Sequence, residues 1–411
     1  MILISNEFEN FREFINYAYE SIVRHWKTNI DIVYSDTPEV RASEKTLYII
    51  PAKKIFCSNF MEKKSIPNNV VYFKNFQEPI PIVFASSEPF VERKGLALIT
   101  NIDLLETYFF FLSCYEEIVI KDRDKYGRFP EDLSTPKRLG FSHLPILDML
   151  RKLFLNLLDE NLDIPNSVLI THDVDRLKTR YSLRHSIKRV LKLEFHPILS
   201  YIKDLIKGGL ENTIDNILEF ERLKKIESIF FFMVRKGNMF IPDSDYSPNK
   251  LLKILKGKKI KVGLHPSLRV RDIDDILKEK KILESIIGES VEYVRMHYLR
   301  YDPLYTFEML EQAGFKYDSS IGYPSGFGYR CGTAYTFRIF NWRRKKRGII
   351  EFPLILMDNT EDVDKIKTWL RRILKNTKEY GGEIVINLHN DFYLKHYLAF
   401  QEVYDELTKG L

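Results

Sequence analysis

The chain has 411 residues, is 45% hydrophobic and carries a formal net charge of +6. That length allows two or three domains with a large core, and so small a charge does not call for nucleic acid, though it suits an anionic substrate or surface. Three widely separated cysteines, Cys57, Cys114 and Cys331, exclude a disulfide framework and a CxxC metal site and fit a reducing compartment.

The opening MILISNEFENFREF is interrupted by acids after five residues, so no signal peptide is expected. The longest apolar runs fall short of a membrane span, and a soluble, cytoplasmic protein follows as the expectation. Strand-like runs come next, at 46–52 (TLYIIPA), 70–73 (VVYF), 80–86 (IPIVFAS) and 95–100 (GLALIT). A helix is expected at 103–120, then a polar loop punctuated by Pro and Gly at 121–141, then a helix near 145–160. The segment NLDIPNS marks a boundary, which divides the chain into an α/β region at 1–160 and a second region at 161–411. It is too short for a flexible linker. The first region is therefore expected to pack on the second, with Arg128 and Phe129 of the loop reaching across to shape a substrate entrance.

In the second region, β-rich runs at 167–173, 228–234, 260–265, 291–298, 314–319, 347–353 and 383–389 alternate with helical stretches such as 274–287, 306–313 and 362–380. This rhythm argues for a parallel sheet. Seven strands are one short of the eight-fold barrel, so the expected fold is α/β: a distorted seven-stranded (β/α) barrel preceded by a smaller α/β domain.

The polar residues gather at the strand ends. Asp173 and Asp175 close the first run, His265 the third, Arg295 and His297 the fourth, Asp318 the fifth and His389 the seventh. The C-terminal ends of parallel strands open on one face, where such folds hold their catalytic groups. Residues two apart share a face of a strand, so Arg295 and His297 point together, while His172 faces away from Asp173. Two carboxylates one residue apart repel unless a cation lies between them or one serves as a base. Imidazole plus carboxylate without thiolate suits Zn²⁺, or Co²⁺ or Ni²⁺ by ligand type. An open coordination position lets such an ion polarise a carbonyl, a second carboxylate takes a proton, and a histidine opposite returns one to the leaving group.

Four ordered motifs resemble those of the polysaccharide deacetylases, carbohydrate esterase family 4: THDVD (171–175), GLHPS (263–267), RMHY (295–298) and NLHND (387–391). The likeness spans roughly residues 165–395. SCYEE (113–117), DKYGRF (124–129) and GFSHLPILD (140–148) resemble the extension of a bacterial subgroup. The resemblance implies Asp173 as general base, Asp175 and His265 as metal ligands, Arg295 holding Asp173, and His389 as general acid beside an apolar substrate pocket at Leu388. It implies removal of an N-acetyl group from an acetamido sugar, with backbone N–H groups near Tyr298 stabilising the oxyanion.

One position departs from the pattern. The second motif of the family carries histidines four apart, but here His265 is followed at that spacing by Arg269. His297, sharing a face with Arg295, is the candidate to complete the metal site; it would otherwise hydrogen-bond within the mouth of the barrel. The loop GYPSGFGYRCGT (322–333) reads as a sugar-stacking segment with Arg330 reaching an anionic group, or as an irregular connection. The basic cluster RRKKR (343–347) reads as a solvated hairpin turn, or as a peripheral contact with an anionic membrane surface. Two alternatives to a sugar deacetylase stay open: a hydrolase of a non-sugar amide, and a carbohydrate-binding module that has lost catalysis.

Overall fold

A computed structural model describes residues 1–410 except 75, 77, 161–162, 178–212, 239–240, 242 and 359–361. The first region is built on a five-stranded sheet. It comprises β1 (Ile2–Ile4), β2 (Asp31–Tyr34), β3 (Thr46–Ile49), β6 (Val91–Lys94) and β7 (Ala97–Thr100), in the order β1-β2-β3-β7-β6. All pairs are parallel except β6 with β7. A separate antiparallel pair joins β4 (Val71–Phe73) to β5 (Ile80–Ile82). The expected helix at 103–120 is two helices, Leu104–Leu112 and Tyr115–Val119. The chain breaks at Cys114, whose φ of 54° is left-handed, and Glu116 and Glu117 beyond it are both buried. Glu116 accepts from the backbone and hydroxyl of Thr135, and Glu117 pairs with Arg330.

The second region holds a nine-stranded, curled sheet forming a half-barrel. In chain order its strands are β8 (Asn166–Val174), β9 (Ser228–Phe232), β10 (Lys261–Leu264), β11 (Tyr293–Val294), β12 (Tyr317–Asp318), β13 (Phe337–Asn341), β14 (Lys346–Glu351), β15 (Leu354–Met357) and β16 (Gly382–Asn387). Spatially they run β13-β14-β12-β11-β10-β9-β8-β16-β15, all parallel apart from the β13–β14 hairpin. Each of the seven expected runs overlaps a strand. Two strands were not expected. β13 forms a hairpin with β14 around the RRKKR cluster, and β15 starts directly after Pro353, where the expected run 347–353 ends. Among the described residues the sheet has two edges, β13 and β15.

Buried strands such as SIFFF of β9 have no exposed face, as expected where helices cover both sides of a parallel sheet. The covering helices have ends legible in the sequence. Ile273–Ile287 begins at Asp272, whose side chain accepts from the Asp275 backbone, and ends at Gly288 in the left-handed region. Asp362 caps Val363–Tyr380 in the same way. No described helix is long and apolar enough to cross a membrane.

Candidate metal centre and active site

The parallel register brings the strand ends together. β16 pairs with β8 from Gly382↔Asn166 to Asn387↔Thr171, and β8 pairs with β9 up to Val174↔Phe232. Asp173, Asp175, His265, His297 and His389 converge on a cavity of about 120 Å³, lined also by Arg128, Tyr298, Leu299, Pro324 and Met357.

Asp173 is buried and fixed on all sides. Arg295 donates from Nη1 to its Oδ1 at 3.0 Å, and Asn387 donates from Nδ2 to its Oδ2 at 3.1 Å. Arg295 is itself fully buried. Its Nη1 also reaches Thr171 Oγ1 and Asn387 Oδ1, each at 2.8 Å, while Nε and Nη2 donate to the Ser319 carbonyl and hydroxyl. Its guanidinium lies 4.5 Å over the Phe231 ring. Burial alone would raise the Asp173 carboxyl, but the charges of Arg295, His265 and His389 outweigh it and hold the group at about 2. Asp173 is therefore ionised at neutral pH.

Asp175, His265 and His297 form a different group: one ligand atom from each lies within 4.8 Å of the others. His265 Nδ1 donates to the Arg295 carbonyl at 2.6 Å, which leaves Nε2 free to point at Asp175 Oδ1, 3.5 Å away. A backbone acceptor on the far nitrogen is the usual way a ligating imidazole is oriented. His297 Nε2 lies 3.9 Å from Asp175 Oδ2, and the two imidazole centroids are 5.0 Å apart. Burial, then the neighbouring His265, push the His297 imidazole well below its ordinary value, so it is neutral, the form that binds a metal. Two polar atoms here, Asp175 Oδ1 and His297 Nδ1, are buried with no hydrogen-bond partner. An orphaned carboxylate oxygen facing two imidazoles fits a divalent cation. With its side chain 31% exposed, Asp175 can be reached from solvent.

Arg269, at the departing position, turns away from this group to Asp243, at 3.3 Å, and donates to the Lys236 carbonyl. Asp243 Oδ1 in turn lies 3.9 Å from His297 Nδ1. His297 reaches the group by a route the sequence did not indicate. β11 ends at Val294, and His297 sits in a short 3₁₀ turn, His297–Leu299, instead of on a strand.

His389 stands across the cavity, with Nε2 4.0 Å from Asp175 Oδ2. Its Nδ1 meets Asp358 Oδ1 at 2.6 Å, and its backbone N–H donates to Asp358 Oδ2. Burial works against a charged imidazole here, but Asp358, Asp175 and Asp173 overcome it and raise the group to about 10. Sequence reasoning missed Asp358 because it missed β15, at whose C-terminal end Asp358 stands. The strand-end rule would otherwise have found it. Asn387, within the NLHND motif, was given no role from sequence, although it contacts Asp173, Thr171 and Arg295.

Other expected residues lie elsewhere. Arg330 is buried in an ion pair with Glu117 at 2.7 Å and donates to the Gly322 carbonyl, outside the cavity lining. A charge neutralised in this way holds two segments together. Leu388 is fully buried in the main apolar core, and Met357 and Leu299 provide the apolar lining instead. Asp318 is buried and accepts from Ser320 at 2.6 Å. His172 faces away from Asp173, as expected, and is buried against the Leu388 carbonyl and Glu221. The basic cluster is paired with carboxylates: Arg343 with Glu308, Arg344 with Glu308 and Glu311, Lys345 with Glu13, and Arg347 with Glu20.

A family of unknown function (DUF7033) matches residues 6–163. No curated protein matches the chain. Among solved structures the chain is similar to one described as a polysaccharide deacetylase from Mycobacterium smegmatis, at 14% identity over 61% of this chain and 86% of that one, with a TM-score of 0.39. It is also similar to an allantoinase (12% identity, 60% and 84% of the chains, TM-score 0.36). A third, described as a polysaccharide deacetylase from Pseudomonas aeruginosa PAO1, shares 11% identity over 61% and 89% of the chains, with a TM-score of 0.34.

Proposed function

We propose that the protein is a metal-dependent hydrolase that removes an N-acetyl group from an acetamido sugar. The observation that carries this reading is the convergence on one cavity of a metal-ligand set, Asp175, His265 and His297, with an ionised carboxylate on one side and a protonated imidazole on the other. Zn²⁺ suits the ligands best, with Co²⁺ or Ni²⁺ as substitutes. When bound, such an ion supplies Lewis-acid polarisation of the scissile carbonyl and lowers the pKa of a water. Asp173 accepts the proton of the attacking water, and Arg295 and Asn387 fix its two oxygens so that the carboxylate cannot swing away. His389, held by Asp358, protonates the departing nitrogen from Nε2. Met357 and Leu299 give the acyl methyl an apolar surface. Opposite demands on two titratable groups are met here by opposite surroundings.

In this reading, residues 161–411 carry the chemistry and residues 1–160 wall the site, with Arg128 at its rim. The substrate class we favour is a poly-, oligo-, nucleotide- or lipid-linked acetamido sugar of surface-polysaccharide assembly, met in the cytoplasm. The small cavity also suits a compact linear or cyclic amide, which is the second reading. Acetate release from a panel of N-acetylated sugars, run beside small non-sugar amides with Zn²⁺ present, separates them. Turnover of sugars alone supports the first reading, turnover of small amides alone the second, and turnover of neither, in protein with its metal bound, would overturn the enzyme reading.

A further inference from the structure

The turn that carries His297 has an unfavourable backbone. Tyr298 and Leu299 are both left-handed, with φ of 61° and 54°, a conformation that residues with a Cβ avoid. Such a turn persists only when its surroundings impose it; Leu299 packs on Leu354, Met357 and Val385 of the second region, whereas Tyr298 is held from the first region. The Tyr126 ring stacks on Tyr298 at 4.7 Å and 12°, and Tyr298 stacks on His297 at 4.3 Å and 23°. Arg128 donates from Nη1 to the Tyr298 carbonyl at 3.0 Å.

The loop that delivers these two residues is braced internally. Asp124 accepts from the backbone of Tyr126 and of Arg128 and from the Arg128 Nε, all within 2.9 Å. The Arg128 guanidinium also lies 4.9 Å over the Tyr126 ring. Loop and turn therefore form one rigid stack, Tyr126–Tyr298–His297, anchored by a charged hydrogen bond to the strained carbonyl. Asp124 neutralises Arg128 at 2.8 Å, so the loop does not set an unpaired positive charge beside a cation site.

We propose that residues 124–129 are a positioning element of the metal centre: the loop fixes the turn and the ring plane of His297, and so sets the affinity for the metal. The first region is then part of the site and not only its wall. This rests on the metal reading above and assigns Tyr126 and Arg128 as positioning residues.

The test is titration of Zn²⁺ into the full chain, stripped of metal, in competition with a colorimetric chelator. Tyr126→Ala should weaken Zn²⁺ binding about tenfold or more, the scale on which metal affinity answers to the partners of its ligands. Tyr126→Phe, which keeps the ring, should stay within about twofold of the wild type. Arg128→Lys keeps the charge but cannot both brace Asp124 and reach the Tyr298 carbonyl, so it should also weaken binding. Circular dichroism of each variant separates a local effect from loss of fold. Undiminished affinity in Tyr126→Ala and Arg128→Lys would overturn the clamp while leaving the metal site standing. So would Tyr126→Phe binding as weakly as Tyr126→Ala. A wild-type protein that takes up no Zn²⁺ would overturn the metal reading and the clamp together.

Discussion

Asp173 and Asp175 stand one residue apart and meet opposite surroundings. Asp173 is buried against Arg295 and Asn387, whereas Asp175 keeps an oxygen without a partner beside two imidazoles. Asp173→Asn should retain metal and lose turnover by roughly 10²–10⁴-fold, the usual scale of general acid–base catalysis, whereas Asp175→Asn should lose both. Metal content and single-turnover rates check this, and equal metal loss in the two variants would mean that both carboxylates bind the ion. The second residue-scale prediction concerns pH. Burial opposes charge on His389, and Asp358 is the first of the groups that reverse this. Removing that negative charge disfavours the imidazolium, so Asp358→Asn should lower the His389 pKa. The acid that protonates the leaving nitrogen is then lost earlier as pH rises, and the alkaline limb of the rate profile should move at least one unit toward neutrality. An unmoved limb would remove His389 from the acid role. Asp173, Asp175, His265, Arg295 and His389 were legible in the sequence because residue type and strand-end position coincide. Arg330 and Leu388 misled because a loop arginine and an apolar neighbour look the same in sequence whether they face a ligand or the core.

Strands with uninterrupted apolar runs, such as β8, β9 and β16, were readable. β15 was not, because Pro353 separates it by so little from β14, and the helix at 103–120 concealed its break because ETYFFFLSCYEEIV holds no Gly or Pro to mark one. β11 is much shorter than its sequence run, since the chain leaves the sheet after Val294 to make the His297 turn. A packing constraint within the sheet gives the third prediction. Gly263 on β10 pairs with Phe231 on β9, and a Cβ at Gly263 would stand 2.4 Å from the Phe231 ring. That ring supports the Arg295 guanidinium. Gly263→Ala should therefore cost about 1–3 kcal/mol, as overpacking does, and also lower activity by displacing Arg295 from Asp173. Denaturant unfolding and the rate constant check the two parts, and a neutral substitution would show that Phe231 has room to move.

The two regions share buried contacts beyond the site. Arg330 pairs with Glu117, which also accepts from Tyr301 at 2.8 Å, Tyr17 donates to the Arg338 carbonyl at 2.8 Å, and the Trp342 indole donates to the Ser113 carbonyl at 2.7 Å. None of these pairings is visible in sequence, where the partners are more than 180 residues apart; only the shortness of the NLDIPNS segment hinted at them. Removing one partner of a buried ion pair leaves a stranded charge and costs about 3–5 kcal/mol. Glu117→Ala should therefore lower the unfolding midpoint sharply, within a single transition for the whole chain. Two separate transitions in the wild type would mean that the regions fold independently. The proposed metal centre depends on the whole molecule, since the second region supplies Asp175, His265 and His297 and the loop at 124–129 touches the turn that carries His297. The most direct test is Zn²⁺ affinity of the wild type against His297→Ala, each purified without chelator. One ion per chain is expected in the wild type, with binding at least tenfold weaker in the variant, a loss of about 1.4 kcal/mol or more. A wild type that holds no metal, or a His297→Ala protein that binds Zn²⁺ as tightly as its parent, would contradict the site.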